Sequence, residues 1–313
     1  MQPEIKRRPA RPPGGIIIGT ALVLLLIFIV VIALFFLLSS ATPALLGKCV
    51  AVVDIDTELT VEGASPSLFD GGYPGSEDIA YQIDALDKRD DVGAVVFVFN
   101  SPGGSVVATR EVYSSVKGLG KPKVSYFREV AASGAYYIAA GTDYIVSDPD
   151  ALTGSIGVIS TVTEMGGLFE KLGVNVSVIK SGAHKDMGSS YRNMTDEERT
   201  IMQALVDEIY SEFRGIVVEG RGDRLDMARF EEVTDGRILS GRQAYRAGLV
   251  DELGSKRDAI KKAADLAGIP YESEEDIRIC QVDTMGSGGG LFGMESLFGR
   301  LRAGAGVPTL SFK

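Results

Sequence analysis

Two runs of small and β-branched residues constrain this chain more than any other feature. CVAVVDI (Cys49–Ile55) and VGAVVFVF (Val92–Phe99) are nearly continuous in apolar character instead of alternating. Strands of that kind are buried on both faces, as in a parallel sheet covered by helices. Between them, Glu77–Arg89 has the polar–apolar mixture of a surface helix, and Val124–Phe127, Tyr144–Val146 and Val174–Ile179 are further short strand candidates. Thr195 with Glu198 makes a capping box, and Met202, Leu205, Ile209, Phe213 and Val217 follow on one face of a long predicted helix. Strands alternating with helices predict an α/β fold with much of its sheet parallel.

A second feature lies outside that pattern. From Ile16 to Leu38 the sequence IIIGTALVLLLIFIVVIALFFLL carries no charge. A helix of that length spans the roughly 30 Å hydrocarbon core of a bilayer, and the run exceeds the apolar core of a signal peptide. It predicts a transmembrane helix. Lys6, Arg7, Arg8 and Arg11 precede it, so the N-terminus is expected in the cytoplasm and everything after Lys48 outside. Lys48 before Cys49 argues against a lipoprotein, which needs a small residue there. The expected organisation is a basic cytoplasmic segment (1–15), a membrane helix (16–38), one domain (48–282), and a glycine-rich linker with a short tail (283–313).

The charge balance narrows the function classes. The chain has 32 Lys and Arg against 42 Asp and Glu, a net charge of -10, which argues against a nucleic-acid partner. Two cysteines, Cys49 and Cys280, are too few for a disulfide framework, and their separation has no metal-ligand spacing. No GxxxxGK[ST] phosphate loop is present.

The chemistry concentrates in three stretches. NSPGGS (Asn100–Ser105) follows a strand, and its two glycines let a turn present backbone N–H groups to a ligand. In REVAASGAYYIAAG (Arg128–Gly141), Ser133 stands at a strand-to-helix junction, where the N–H of Gly134 can meet a developing oxyanion. An isolated serine of this sort reads as a packing residue; paired with the glycine turn, it reads as a nucleophile. In KSGAHKDMG (Lys180–Gly188) stands His184, the one histidine of the chain, so a Ser-His-Asp triad would have to use it. Lys185 is the rival base. An exposed lysine, with a pKa of about 10.4, is a poor base near neutrality, and burial lowers that value.

NSPGGSV, AASGAYYIAAGTDYIVSDPDALTGSIGVI, IKSGAHKDMGSSYRNMTDEER and the later DGRILSGRQAYRAGLVDELGS together resemble the signal peptide peptidases of the SppA type. The likeness runs from about Cys49 to Ala264, with one copy of each motif, as in the short form of that family. It implies a ClpP/crotonase-like domain with parallel-rich sheets and flanking helices. It further implies a serine endopeptidase with Ser133 as nucleophile and Lys185 as general base. Gly104 and Gly134 would supply the oxyanion-hole amides, and Ser155, of LTGSIG, would orient the lysine. No metal or other cofactor is implied. The expected substrates are cleaved signal peptides in the membrane, and the expected assembly is a ring-like homo-oligomer with shared grooves. Competing readings are a crotonase-like acyl-thioester enzyme and an inactive membrane scaffold. In the tail VPTLSFK, Leu310 and Phe312 alternate as an extended peptide ligand would, against the simpler expectation of a frayed terminus.

Overall fold

The computed structural model describes residues 24–34, 47–64, 72–280 and 282. The chain divides at Lys48/Cys49 into two units. In the first, residues 24–34 form a helix, α1, whose apolar side chains are exposed. Residues 16–23 and 35–38 of the predicted membrane span lie outside the described residues, as do the basic segment 1–15 and the linker and tail 283–313. Among the described residues no helix is long and apolar enough to cross a membrane.

The second unit is an α/β domain. Its elements in chain order are β1 (Cys49–Ile55), α2 (Ser76–Asp87), β2 (Val92–Ser101), α3 (Val106–Gly118), β3 (Lys123–Ala132), α4 (Gly134–Ala139), β4 (Tyr144–Ser147), β5 (Leu152–Gly154), α5 (Gly166–Lys171), α6 (Asp196–Arg221), α7 (Met227–Val233), β6 (Ile238–Ser240), α8 (Gly241–Arg246), β7 (Glu252–Leu253), α9 (Lys256–Ala267) and β8 (Ile279–Cys280). The strands form one sheet in the order β6-β5-β3-β2-β1-β8, with β4 pairing both β3 and β7. Among the described pairings only β5 with β6 is antiparallel.

Strand β2 displays the logic read from its composition. Val95, Phe97 and Phe99 face one hydrophobic layer, packed with helices α2, α3 and α4, while Ala94, Val96 and Val98 face another, packed with Ala259, Ala263 and Ala264 of α9. Successive side chains point to opposite faces of a strand, so burying both faces requires the unbroken apolar run. Strand β3 reaches further than Val124–Phe127. Its first half pairs with β4 and its second half with β5 (Val130↔Leu152, Ala132↔Gly154), which carries the backbone directly up to Ser133.

Val174–Ile179 departs from expectation. It is not a strand: it has no ladder partner, and all of its residues are exposed. Its apolar pattern suits a sheet, but among the described residues no strand pairs with it. The cysteines are the second departure. Strands β1 and β8 are neighbours, and Cys49 and Cys280 form a disulfide with their Cα atoms 5.4 Å apart. With the sulfurs joined, neither is available to hold a metal.

Helix α6 is fixed at its far end by a buried ion pair. Arg221, fully buried, donates to both carboxylate oxygens of Asp251 (2.9 and 2.7 Å) and to the Gly248 carbonyl, while Asp251 also accepts from the Ile145 N–H of β4. The pair anchors α6 to the sheet, and α6 in turn forms one wall of the cleft described next.

Candidate active site

The carboxyl ends of β2 and β3 lie side by side, with Ser101 opposite Ala131, and the turns that follow them converge. Ligand sites of open α/β sheets form at such ends. After β2 the chain turns through Gly103, which has φ +98°, and a Cβ there would lie 2.6 Å from the Gly134 nitrogen. Gly104 runs against Leu59 so closely that a Cβ would meet the Leu59 carbonyl oxygen at 2.0 Å. The bridge to Leu59 uses the Gly103 carbonyl and the Ser105 N–H, at 2.7 and 2.8 Å. Backbone groups alternate along an extended segment, so the Gly104 N–H points away from Leu59.

After β3 the chain enters α4 through Ser133, whose φ of 54° and ψ of -120° lie outside the regions an L-residue adopts freely. The strained turn is held from both sides. Ser133 N–H donates to the Gly154 carbonyl at 2.9 Å, and its carbonyl accepts from Tyr137 N–H at 3.0 Å. Among the described residues one other non-glycine has positive φ, and it is Ser155 (φ 49°), whose N–H donates to the Arg237 carbonyl at 2.8 Å. Backbone strain of this kind persists where surrounding structure imposes it, and it concentrates at functional sites. Gly134, the first residue of α4, contributes an N–H that the helix itself cannot use.

Ser133, Gly134, Gly104 and Ser155 line one cleft of about 470 Å³. Its other walls are largely apolar: Val106 and Thr109 from α3, Tyr137 from α4, Val158 and Ile159, and Ile209 and Phe213 from α6. The Tyr137 ring packs between Tyr113 and Phe213, at 5.0 and 5.1 Å between centroids, and its hydroxyl donates to Glu212. Burial pushes the Tyr137 hydroxyl above its ordinary pKa, so it stays protonated. Thr109 is buried and its hydroxyl has no hydrogen-bond partner among the described residues; a Cβ on Gly134 would lie 2.3 Å from that oxygen. Sequence reasoning does not reach these wall residues, because they come from helices whose approach to the cleft is set by packing.

Lys185 is placed elsewhere. It is exposed and lines a separate surface cleft with Val178, Ile179, Ser181 and Met187. Its loop is tied to the start of α6 through Asp186, Arg192 and Glu198, whereas Ile209 and Phe213, further along the same helix, line the Ser133 cleft. At 1.5 Å rise per residue the start of α6 and its cleft-lining residues lie roughly 17–22 Å apart along the helix, and Lys185 is not among the residues lining the Ser133 cleft. His184, at 3.7 Å from Glu197 and 3.9 Å from Glu198, belongs to the Lys185 loop as well. Within the Ser133 cleft the carboxylates are Glu58 and Asp235. Asp235 is held down to about 2 by the guanidinium of Arg237, 2.7 Å away, so it is a poor proton acceptor near neutrality.

Known proteins are similar to this chain in sequence. The profile of peptidase family S49 matches residues 116–270, and that of the Clp proteases matches residues 74–146. A protein of Methanocaldococcus jannaschii, provisionally named a protease, is 39% identical over 251 residues, covering 74% of this chain and 80% of that one. The chain belongs to peptidase family S49, the SppA-type serine peptidases. A protein of Enterococcus faecium, provisionally named the signal peptide peptidase SppA, is 36% identical over 66% of this chain and 62% of its own length. Protease 4 of Salmonella typhi is 30% identical over 79% of this chain, though the match spans 40% of the longer Salmonella protein. The S49 profile takes in the strand-to-helix turn at Ser133, Ser155 and the Lys185 loop, and the Clp profile takes in the glycine turn.

Proposed function

We propose that this chain is a membrane-anchored endopeptidase with a Ser-Lys dyad, working as a homo-oligomer on apolar peptides such as cleaved signal peptides. The observation that carries the proposal is the strained Ser133 at the end of β3, in one cleft with Gly104, Gly134 and Ser155. In the reaction, the Lys185 amine takes the Ser133 hydroxyl proton as Oγ attacks the peptide carbonyl. The N–H groups of Gly104 and Gly134 receive the oxyanion. Lys185 then protonates the leaving amine, and a water activated by the same lysine hydrolyses the acyl-enzyme. The apolar walls of the cleft suit an apolar peptide side chain.

The placement of Lys185 and Ser133 in different clefts of one chain supports a site completed by a neighbour. Around the lysine loop Leu168, Leu172, Val174, Val176, Val178 and Ile179 are exposed, with Ile179 fully so. Leu205, on the same face of α6 as the buried Phe213, is 50% exposed. A second copy of the chain packed on this surface would bury it and bring its Ser133 cleft to Lys185. The uncharged run Ile16–Leu38 supports an anchor, and the Cys49–Cys280 disulfide fits an oxidising compartment outside the cytoplasm.

The test is hydrolysis of an apolar fluorogenic peptide by full-length protein carrying Lys185→Ala or His184→Ala, with covalent labelling of Ser133 by a serine-directed phosphonate. Loss of turnover in the lysine variant alone, with folding intact, is the expected result. Loss in the histidine variant alone would restore the triad. A wild-type protein that the phosphonate does not label would return the scaffold and crotonase-like readings.

A further inference from the structure

A base carried on a loop works only if the loop is held, and the loop around Lys185 has little apolar burial to hold it. Residues 174–195 contain no helix or strand, and most of their side chains are exposed. Segments of that kind open easily. What ties this one down is polar. Arg192 lies between two carboxylates and donates two hydrogen bonds to each: to Asp186 at 3.0 and 2.7 Å, and to Glu198 at 2.7 and 2.6 Å. Asp186 is the residue next to Lys185. Glu198 is in the first turn of α6, 2% exposed, and locked by the capping box, in which it accepts from Thr195 N–H at 3.0 Å and donates its own N–H to Thr195 Oγ1 at 3.1 Å.

Charge adds a second element to the geometry. The Asp186 carboxylate also accepts from Lys180 Nζ at 2.7 Å and from the Tyr191 hydroxyl at 3.4 Å, and Lys180 Nζ donates to the Ala183 carbonyl as well. Of the two lysines in KSGAHKD, Lys180 is therefore ion-paired, whereas Lys185 makes no ion pair among the described residues. A carboxylate partner stabilises the ammonium form of a lysine and would oppose its use as a base. The cluster occupies the carboxylate of the adjacent residue, Asp186, with Arg192 and Lys180.

We propose that Arg192, forked between Asp186 and Glu198, is a positioning residue for the catalytic base: it fastens the Lys185 loop to the start of α6 and keeps the Asp186 carboxylate away from Lys185. This rests on the Ser-Lys reading above. Planar, bidentate bridging of two carboxylates is a task for arginine, which lysine, a point charge on a flexible stem, cannot reproduce. Helix α6 thus carries both halves of the chemistry. Its middle lines one protomer's own serine cleft, and its start holds the lysine offered to a neighbour's.

The experiment compares full-length wild type, Arg192→Ala, Arg192→Lys and Lys185→Ala on the apolar fluorogenic peptide. Turnover is expressed per phosphonate-labelled serine, and assembly is checked by light scattering. A loosened base misplaces the proton acceptor without touching the substrate cleft. Arg192→Ala is therefore expected to lower kcat roughly 10- to 100-fold with KM little changed. Arg192→Lys should recover part of that loss, and it is the variant to read if the alanine form does not fold. Wild-type kcat in either variant overturns the proposal. So does a loss accounted for by fewer labelled serines or by dissociation of the assembly, which would make the cluster merely structural. If Lys185→Ala keeps its activity, the Ser-Lys reading itself has failed and the positioning role falls with it. An inactive Lys185→Ala beside an unaffected Arg192→Ala would sink the positioning role alone.

Discussion

Gly134 has two demands on it at once. On the proposed reading it offers its N–H to the oxyanion, and it must fit between Gly103 and the Thr109 side chain, where a Cβ would lie 2.3 Å from the Thr109 hydroxyl. Gly134→Ala is therefore expected to displace the amide and lower kcat by roughly 10²–10³, the effect of losing one oxyanion donor. Thr109→Ala removes the colliding atoms and no hydrogen bond, since the Thr109 hydroxyl has no partner among the described residues. The double variant Thr109→Ala/Gly134→Ala should accordingly regain most of the lost kcat. A double variant as slow as Gly134→Ala alone would refute the steric account. At this scale the sequence was informative where the backbone acts: the glycines of NSPGG and the serine of AASG announced a turn and a junction. Thr109, Tyr137 and Phe213 were silent, because a residue that lines a cleft looks like any other helix residue until the helix is packed.

Among the elements, α6 was the most legible and also the most deceptive. Its capping box and apolar face predicted a long helix, and Asp196–Arg221 is one. That face is covered only in part, however: Phe213 and Val217 are buried, while Met202 is half-buried and Leu205 is exposed. Periodicity indicates which side of a helix will be covered, but not by which chain. Val174–Ile179 makes the same point, since a strand pattern becomes a strand only when an edge is available to pair with it. The cluster at the start of α6 has its own pH signature. Arg192 holds Asp186 below the usual carboxylate range and Glu198 down to about 2. Carboxylates depressed in the folded state stabilise it fully above their ordinary values near 4, and that contribution is lost as pH falls through the folded values. Hydrogen exchange of the backbone over residues 182–192 should therefore be constant, after correction for intrinsic rates, from about pH 8 to pH 5 and lose protection below about pH 4. A loss of protection centred near pH 6 would contradict this.

For the whole molecule, two long-range links decide behaviour. The disulfide joins the first strand of the domain to its last and closes a loop across a separation of 231 residues. Reduction, or the Cys49→Ser/Cys280→Ser variant, should cost about 2–4 kcal/mol and lower Tm by roughly 4–16 °C, as read by calorimetry with and without reductant. An unchanged Tm would mean that the strand pairing alone holds this edge. The other link, on the proposed reading, is between protomers. If the serine and the lysine of each site come from different chains, Ser133→Ala and Lys185→Ala proteins, each inactive, should regain activity on mixing and reassembly, with about one quarter of sites complete in a random equal mixture. Mixtures that stay inactive would place both groups in one chain. What the sequence determined by itself is local: apolar runs that demand burial on both faces, a helix start, glycine turns, and the candidates for reactive side chains. These follow from interactions a few residues apart. Only the tertiary structure decided that Cys49 meets Cys280, that Ser133 and Ser155 are strained side by side in one cleft, and that Lys185 lines a different cleft from the serine. Such placements arise from how α6 and the sheet pack, through contacts spread over the whole domain and encoded at no single position.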